Sequence, residues 1–117
     1  MSSINSPTLS AALERMWTRF YPEMIERLAV LETAAAACAA GRLNPPQIEA
    51  AAAAAHKLAG VLGTFGLAEG TELARKLENL YSAANGAARL PSTRLRAITV
   101  QLRSVIASRK SANAFSE

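Results

Sequence analysis

The segment of residues 45–66 reads PPQIEAAAAAAHKLAGVLGTFG. Two prolines open it, alanines fill its centre and glycines close it, which predicts a helix from about Pro45 to Gly63 with Asn44 as its N-cap. At about 100° per residue the apolar side chains fall on one side of this helix. These core candidates are Ala51, Ala54, Leu58, Val61, Leu62 and Phe65. The opposite side carries the only histidine of the chain, His56.

The side of the helix that carries His56 is almost bare of large side chains. Its other members are Glu49, Ala52, Ala53, Ala59, Gly60 and Gly63. We therefore expect His56 to point outward above a flat surface that a second protein can approach closely. Gly60 costs the helix about 1 kcal/mol relative to alanine. Two explanations stay open: access to His56, or close packing of a neighbouring helix against Gly60 and Gly63, with His56 an incidental surface residue.

The rest of the chain also predicts helices. One helix covers about 7–20, a second runs from Pro22 to Gly41, a fourth covers about 67–85, and a fifth follows Pro91. Short loops between them predict an all-α fold, an up-down antiparallel four-helix bundle with an additional N-terminal capping helix. We assign residues 7–110 to this single domain and expect flexible segments at 1–6 and 111–117.

The composition favours helices and excludes several kinds of site. Alanine supplies 26 of the 117 residues, and aspartate is absent. The chain therefore holds no aspartate nucleophile, no aspartate metal cluster and no phosphoacceptor aspartate. Cys38 is the only cysteine, which excludes an intrachain disulfide and a thiolate zinc site. A single histidine cannot form a multi-histidine metal site, and we expect no metal in this chain.

The formal charge of +4 is concentrated in the last third of the chain, where no acid occurs from Asn79 to Ser116. This basic segment would suit an acidic protein surface or nucleic acid. Nucleic acid is the weaker choice, because no aromatic residue for base stacking is interleaved with the arginines of the last helix, Arg94, Arg96 and Arg103. The apolar run 50–55 is far below the ~20 residues of a membrane span, and the N-terminus lacks signal-peptide features. We expect a cytoplasmic protein with no membrane partner.

Residues 56–66, HKLAGVLGTFG, followed by LARKLE at 73–78, resemble the motif of the histidine-containing phosphotransfer (HPt) domain of bacterial multistep phosphorelays. In that motif an apolar residue and several glycines follow the phosphoacceptor histidine at fixed spacings. The matching residues here are His56, Leu58, Gly60, Gly63 and Gly66. The resemblance implies a four-helix bundle with an extra N-terminal helix, and it puts the histidine midway along the second bundle helix.

The resemblance also implies a phosphocarrier without an ATP or kinase site, not an enzyme. His56 would accept a phosphoryl group from an aspartyl phosphate of a receiver domain and relay it to another receiver. The implied partners are response-regulator receiver domains and a hybrid sensor histidine kinase, with the chain itself a monomer. No cofactor is expected in this chain, and Mg²⁺ is expected on the receiver. The docking face would consist of the small residues around the histidine, Ala52, Ala53, Ala59, Gly60 and Gly63.

One position departs from the family pattern. HPt domains commonly have lysine three residues after the histidine, where this chain has Ala59. A phosphohistidine carries nearly two negative charges, so another cation should stabilise it. The candidates are Lys57 on the same helix and Arg75 and Lys76 on the next one.

Other functions stay open beside the phosphocarrier. Ala59 favours an HPt-like adapter that docks a receiver or kinase domain without being phosphorylated, and the basic last helix leaves a nucleic-acid-binding domain as a further alternative. A phosphate-binding loop is disfavoured, because the glycines follow no strand and no Gly-Lys-Ser/Thr sequence ends the run. Serine hydrolase chemistry lacks a recognisable nucleophile motif.

Overall fold

The computed structural model describes the backbone of residues 2–84 and 90–115 and the side chains of residues 9–84 and 90–109. Four helices make up this part of the chain: α1 Ser2–Ala39, α2 Pro45–Thr64, α3 Ala68–Ser82 and α4 Ser92–Phe115. No strand occurs among the described residues. The predicted all-α bundle is confirmed. Its outer limits stay a prediction: residues 2–6 and 111–115 continue α1 and α4, while Met1 and residues 116–117 lie outside the described range.

The N-terminal helix and the first bundle helix form one continuous helix, α1, where the sequence predicts two. Pro22 removes one backbone hydrogen bond, which costs a helix about 3 kcal/mol. On both sides of it, however, Trp17, Met24 and Leu28 belong to one buried stripe, at most 2% exposed. Burial of this stripe offsets the lost hydrogen bond, and the helix continues through the proline.

The turns that flank α2 follow the local sequence signals. Gly41 adopts a left-handed φ of 71°, and the next amide, that of Arg42, donates to the carbonyl of Ala37 at 2.8 Å, which closes the end of α1. Asn44 caps α2: its side chain accepts from the Gln47 amide at 2.9 Å, and the Gln47 side chain accepts from the Asn44 amide at 3.0 Å. The predicted N-cap is confirmed.

The bundle has a simple neighbour order, in which α1 packs on α2 and α4, and α3 packs on α2 and α4. The core between them is apolar and includes Met24, Leu28, Leu31, Leu58, Leu62, Leu77, Leu95, Leu102 and Ile106. α2 and α3 make the most extensive contact, and Gly70 of α3 packs closely against side chains of α2 and α4. A Cβ built on Gly70 would lie 3.0 Å from Leu62 Cδ1 and 3.3 Å from Val105 Cγ1. The α2–α3 pair is therefore held in one register.

The α2–α3 turn is fixed to the rest of the bundle by aromatic contacts. Trp17 of α1 meets Phe65 of the turn edge-on, with ring centroids 5.1 Å apart. The guanidinium of Arg109 lies 4.6 Å from the Trp17 ring and also bonds Glu14. Gly66 takes a left-handed φ of 72°, and the Leu67 amide donates to the Leu62 carbonyl, which turns the chain into α3. Among the described residues, no helix combines the length and apolar character that crossing a membrane requires.

Candidate functional site

His56 lies near the middle of α2 and points away from the core. Its side chain is 74% exposed, whereas Ala55 and Leu58 beside it are fully buried. The prediction of an outward histidine is confirmed. The site is therefore an exposed imidazole on a rigid helix and not a residue inside a cleft.

A carboxylate of the neighbouring helix holds one nitrogen of this imidazole. Nδ1 of His56 lies 2.8 Å from Oε2 of Glu78 on α3. Because an ionised carboxylate only accepts hydrogen bonds, this contact assigns the ring proton to Nδ1. The lone pair of the neutral ring then sits on Nε2, and the contact also fixes the orientation of the ring. The pair presents Nε2 as a free nucleophile.

Sequence reasoning missed Glu78, although the residue belongs to the quoted LARKLE segment. It lies 22 residues from His56 in the sequence. A helical-wheel projection of α3 alone places it at the edge of the apolar stripe, beside Leu77. Only the register between α2 and α3 brings its carboxylate to the histidine. The signal available in the sequence was an acidic residue at the border of a buried stripe. In the structure Glu78 is half-buried and so held in one position.

A hydroxyl group links the two helices on this side of the bundle. Thr71 Oγ1 of α3 donates to the carbonyl of Ala59 on α2 at 3.1 Å. Within α2, Thr64 Oγ1 donates to the carbonyl of Gly60 at 3.2 Å. The Thr71 and Glu78 contacts are seven residues apart on α3 and lie on the same side of it. Together they fix the register of α3 against α2 at His56.

The small-residue surface around His56 is present but smaller than the sequence predicts. Ala53, Gly60 and Gly63 are exposed, and Ala52 is half-buried. Ala59 is only 5% exposed, so its predicted place on the open docking face is wrong. The physical reason is the approach of α3, which covers the side of α2 where Ala59 lies. A helical-wheel projection of α2 alone cannot show that α3 packs there.

Gly60 has no packing role within the described part of the chain. A Cβ built on Gly60 meets nothing within 4 Å, while one on Gly63 makes an ordinary contact of 3.6 Å with Thr71 Oγ1. Among the residues that the structure describes, close helix packing therefore does not explain Gly60. The alternative, an open surface beside His56, agrees with the geometry.

The three candidate cations occupy different surfaces. Lys57 is exposed on α2, about 100° from His56 and on the side away from Ala59 and α3. Lys76 lines a groove between α3 and α4 together with Asn79 and Arg94, in a cavity of about 360 Å³. Arg75 is exposed on α3, one turn before Glu78. Within residues 9–84 and 90–109, none of the three takes part in an ion pair.

The described residues contain no group of three or more His, Cys, Asp or Glu side chains able to hold a metal ion. The ionisable groups in contact at the site are His56 and Glu78. Such an arrangement offers a nucleophile and its orienting carboxylate. It resembles the histidine–carboxylate half of a catalytic triad, where the carboxylate sets the tautomer and stabilises positive charge on the ring.

Comparison with known proteins gives a matching family and one relative. A family model described as the Hpt domain matches residues 15–111. Protein RcaC of Microchaete diplosiphon is 38% identical over 68 residues, which cover 58% of this chain and 10% of that protein. The matched segment is thus about a tenth of the length of RcaC. No solved structure is significantly similar to the chain.

Proposed function

The chain belongs to the Hpt domain family, whose members transfer phosphoryl groups on histidine in phosphorelays, and we propose that His56 is its phosphoacceptor. It takes the phosphoryl group from an aspartyl phosphate of a receiver domain and passes it to a second receiver. The chain is then a phosphocarrier without its own kinase or ATP site. The observation that carries the proposal is the exposed His56 imidazole whose Nδ1 is held by Glu78.

In the first step, Nε2 of His56 attacks the phosphorus of the aspartyl phosphate. The new N–P bond forms as the P–O bond to the aspartate breaks, and the bonding pair leaves with the receiver's carboxylate. Positive charge develops on the imidazole ring during this step. Glu78 stabilises that charge through the Nδ1 proton, which stays in the 2.8 Å contact.

In the second step, the phosphoryl group leaves for the aspartate of another receiver. A carboxylate oxygen of that aspartate attacks phosphorus, and the N–P bond breaks with its electron pair returning to Nε2. Because Nδ1 keeps its proton against Glu78, the leaving group is a neutral imidazole. The same contact therefore supports both acceptance and release, as a carrier requires.

The docking surface proposed for the receiver is the exposed part of the small-residue face, Ala53, Gly60 and Gly63, with Ala52 at its edge. The absence of large side chains there lets the receiver bring its aspartate and its Mg²⁺ to Nε2. Phosphoryl transfer depends on positioning and on charge neutralisation. This chain supplies the nucleophile, and the metal comes with the partner.

The proposal includes a hybrid sensor histidine kinase as the source of the phosphorelay, a monomeric carrier and a cytoplasmic location. A non-phosphorylated adapter is the second candidate, and the observation that favours it is Ala59 where the family commonly has lysine. An adapter would use the same docking face. It would bind the receiver without gaining a phosphoryl group.

The test uses a phosphorylated receiver domain with labelled phosphate, the chain and its His56→Gln variant. The carrier predicts loss of label from the receiver and an acid-labile, base-stable label on the wild-type chain only. An adapter predicts that both proteins bind the receiver and neither acquires label. Labelling of the His56→Gln variant would contradict the assignment of His56.

A further inference from the structure

We infer that Arg75 is the cation that binds the phosphoryl group on His56, in place of the lysine that the family commonly has at the position of Ala59. This inference rests on the proposed function and adds to it the identity of the phosphoryl-binding side chain. The sequence alone leaves Lys57, Arg75 and Lys76 equivalent. Their positions on α2 and α3 separate them.

The two contacts between α2 and α3 place Arg75 on the side of α3 that faces His56. Thr71 meets the Ala59 carbonyl, and Glu78 meets His56 Nδ1. Arg75 follows Thr71 by four residues and precedes Glu78 by three, so it shares their side of α3. Adjacent helices pack with axes about 8–10 Å apart, a span that the long arginine side chain can bridge.

The surface beside His56 is open. Gly60 lies one turn after His56 on α2, and a Cβ built on it would meet nothing within 4 Å. Arg75 itself is exposed and makes no ion pair within the described residues, so its guanidinium does not have to leave an acid to reach the site. A guanidinium binds phosphate through two parallel hydrogen bonds.

The other two cations face elsewhere. Lys76 follows Arg75 in sequence but lines the groove between α3 and α4 beside Arg94. Lys57 lies on the flank of α2 away from α3, whereas the bond to Glu78 draws the imidazole toward α3. Of the three cations, Arg75 is thus the one on the side of α3 that meets His56.

Charge balance explains why a cation is needed beside His56. The phosphoryl group carries nearly two negative charges, and the ring, which stays protonated on Nδ1, carries one positive charge. Phosphorylation therefore adds about one net negative charge beside the carboxylate of Glu78, and like charges repel. Arg75 returns one positive charge on the side where the acid lies. Removing it should shift the phosphoryl equilibrium between receiver and carrier toward the receiver.

The test compares Arg75→Ala with Lys76→Ala, a matched control that removes the same charge from the next residue of the same helix, and with Lys57→Ala. Each protein is first labelled with phosphoramidate, which transfers its phosphoryl group to the histidine and releases ammonia, so that no receiver is needed. The phosphorus NMR signal is then titrated with pH, and the receiver–carrier equilibrium is measured separately. Arg75→Lys tests rescue, and circular dichroism confirms the fold.

For Arg75→Ala we expect a higher pH midpoint for the second ionisation of the phosphoryl group. We also expect the ratio of phosphorylated carrier to phosphorylated receiver at equilibrium to fall about tenfold, which is the size of one exposed charge-assisted contact. Lys76→Ala and Lys57→Ala should leave both values unchanged, and Arg75→Lys should restore part of each. Equal values for Arg75→Ala and Lys76→Ala, with the wild type labelled, would overturn the role of Arg75 alone. A wild type that takes no label from phosphoramidate or receiver would overturn the proposed function and this inference with it.

Discussion

Gly60 and Gly70 should respond to the same substitution in opposite ways, which separates a docking role from a packing role. Gly60→Ala adds a methyl group to open, exposed helix surface beside His56, whereas Gly70→Ala adds one between α2, α3 and α4. Gly60→Leu extends the first change. Because helical side chains lean toward the N-terminus, a leucine at position 60 would lie beside His56.

The geometry sets the sign and size of each effect. Alanine in place of glycine inside a helix contributes about 1 kcal/mol, and nothing within 4 Å opposes it at Gly60. Gly60→Ala should therefore raise the free energy of unfolding by up to about 1 kcal/mol, or roughly 4 °C in Tm. At Gly70 the new Cβ would lie 3.0 Å from Cδ1 of the fully buried Leu62. Overpacking of this kind costs about 1–3 kcal/mol, so Gly70→Ala should be destabilising.

The assays are thermal and denaturant unfolding for all three variants, together with the rate of phosphotransfer from a phosphorylated receiver. Gly60→Leu should keep the stability of the wild type or exceed it, while the second-order rate constant of phosphotransfer from the receiver falls about tenfold or more, equivalent to ~1.4 kcal/mol of docking energy. Labelling by the small donor phosphoramidate checks that His56 stays reactive. Loss of stability in Gly60→Ala, or unchanged receiver transfer in Gly60→Leu, would refute the reasoning.

Three further predictions concern single contacts. Glu78→Gln keeps an acceptor for the Nδ1 proton but removes the charge. Because charge-assisted hydrogen bonds exceed neutral ones by ~1 kcal/mol, phosphoryl acceptance should slow about fivefold to tenfold. Stopped-flow transfer from the receiver measures this rate, and a rate equal to wild type would contradict the role of the carboxylate. The Arg103 guanidinium, which bonds Glu32 at 2.9 Å, holds the pKa of that carboxyl below its usual 4.5. The pair therefore stabilises the fold at neutral pH, and its contribution is lost progressively as pH falls from 4.5 through the lowered pKa. Arg103→Ala should lower the free energy of unfolding by less than about 1 kcal/mol at pH 7, and the loss should shrink as the pH is lowered below 4.5; a loss that does not change with pH would show that the pair does not act through charge. Burial raises the pKa of Tyr81 to about 12, and its hydroxyl has no hydrogen-bond partner among the described residues. Tyr81→Phe should therefore leave the free energy of unfolding unchanged or raise it by up to ~1–2 kcal/mol. A clearly lower free energy of unfolding, measured in denaturant, would show that the hydroxyl has a partner.

Features that depend on one helix at a time were predictable from the sequence. The Asn44 cap, the end of α1 at Gly41 and the outward direction of His56 follow from residue type and from the period of a single helix. Pro22 shows the limit of this reasoning. Its local preference is to interrupt a helix, but the buried stripe that includes Trp17 and Met24 continues across it, and tertiary packing decides.

Features that depend on two helices were beyond the sequence patterns. Ala59 and Glu78 are the clearest cases: the first is covered by α3, and the second reaches His56 from α3. Both follow from the α2–α3 register, which is fixed by contacts such as Thr71 to the Ala59 carbonyl and the tight approach at Gly70. A wheel drawn for one helix contains neither contact.

In the proposed mechanism, His56 carries the phosphoryl group on Nε2 because Glu78 holds the proton on Nδ1. The most direct measurement is NMR of the ¹⁵N-labelled chain after phosphotransfer from a receiver, which identifies the modified residue and distinguishes the two ring nitrogens. We predict a single phosphohistidine, at His56, with phosphorus on Nε2 and the proton on Nδ1. Phosphorus on Nδ1, or a receiver that is emptied without any phosphohistidine on this chain, would contradict the account.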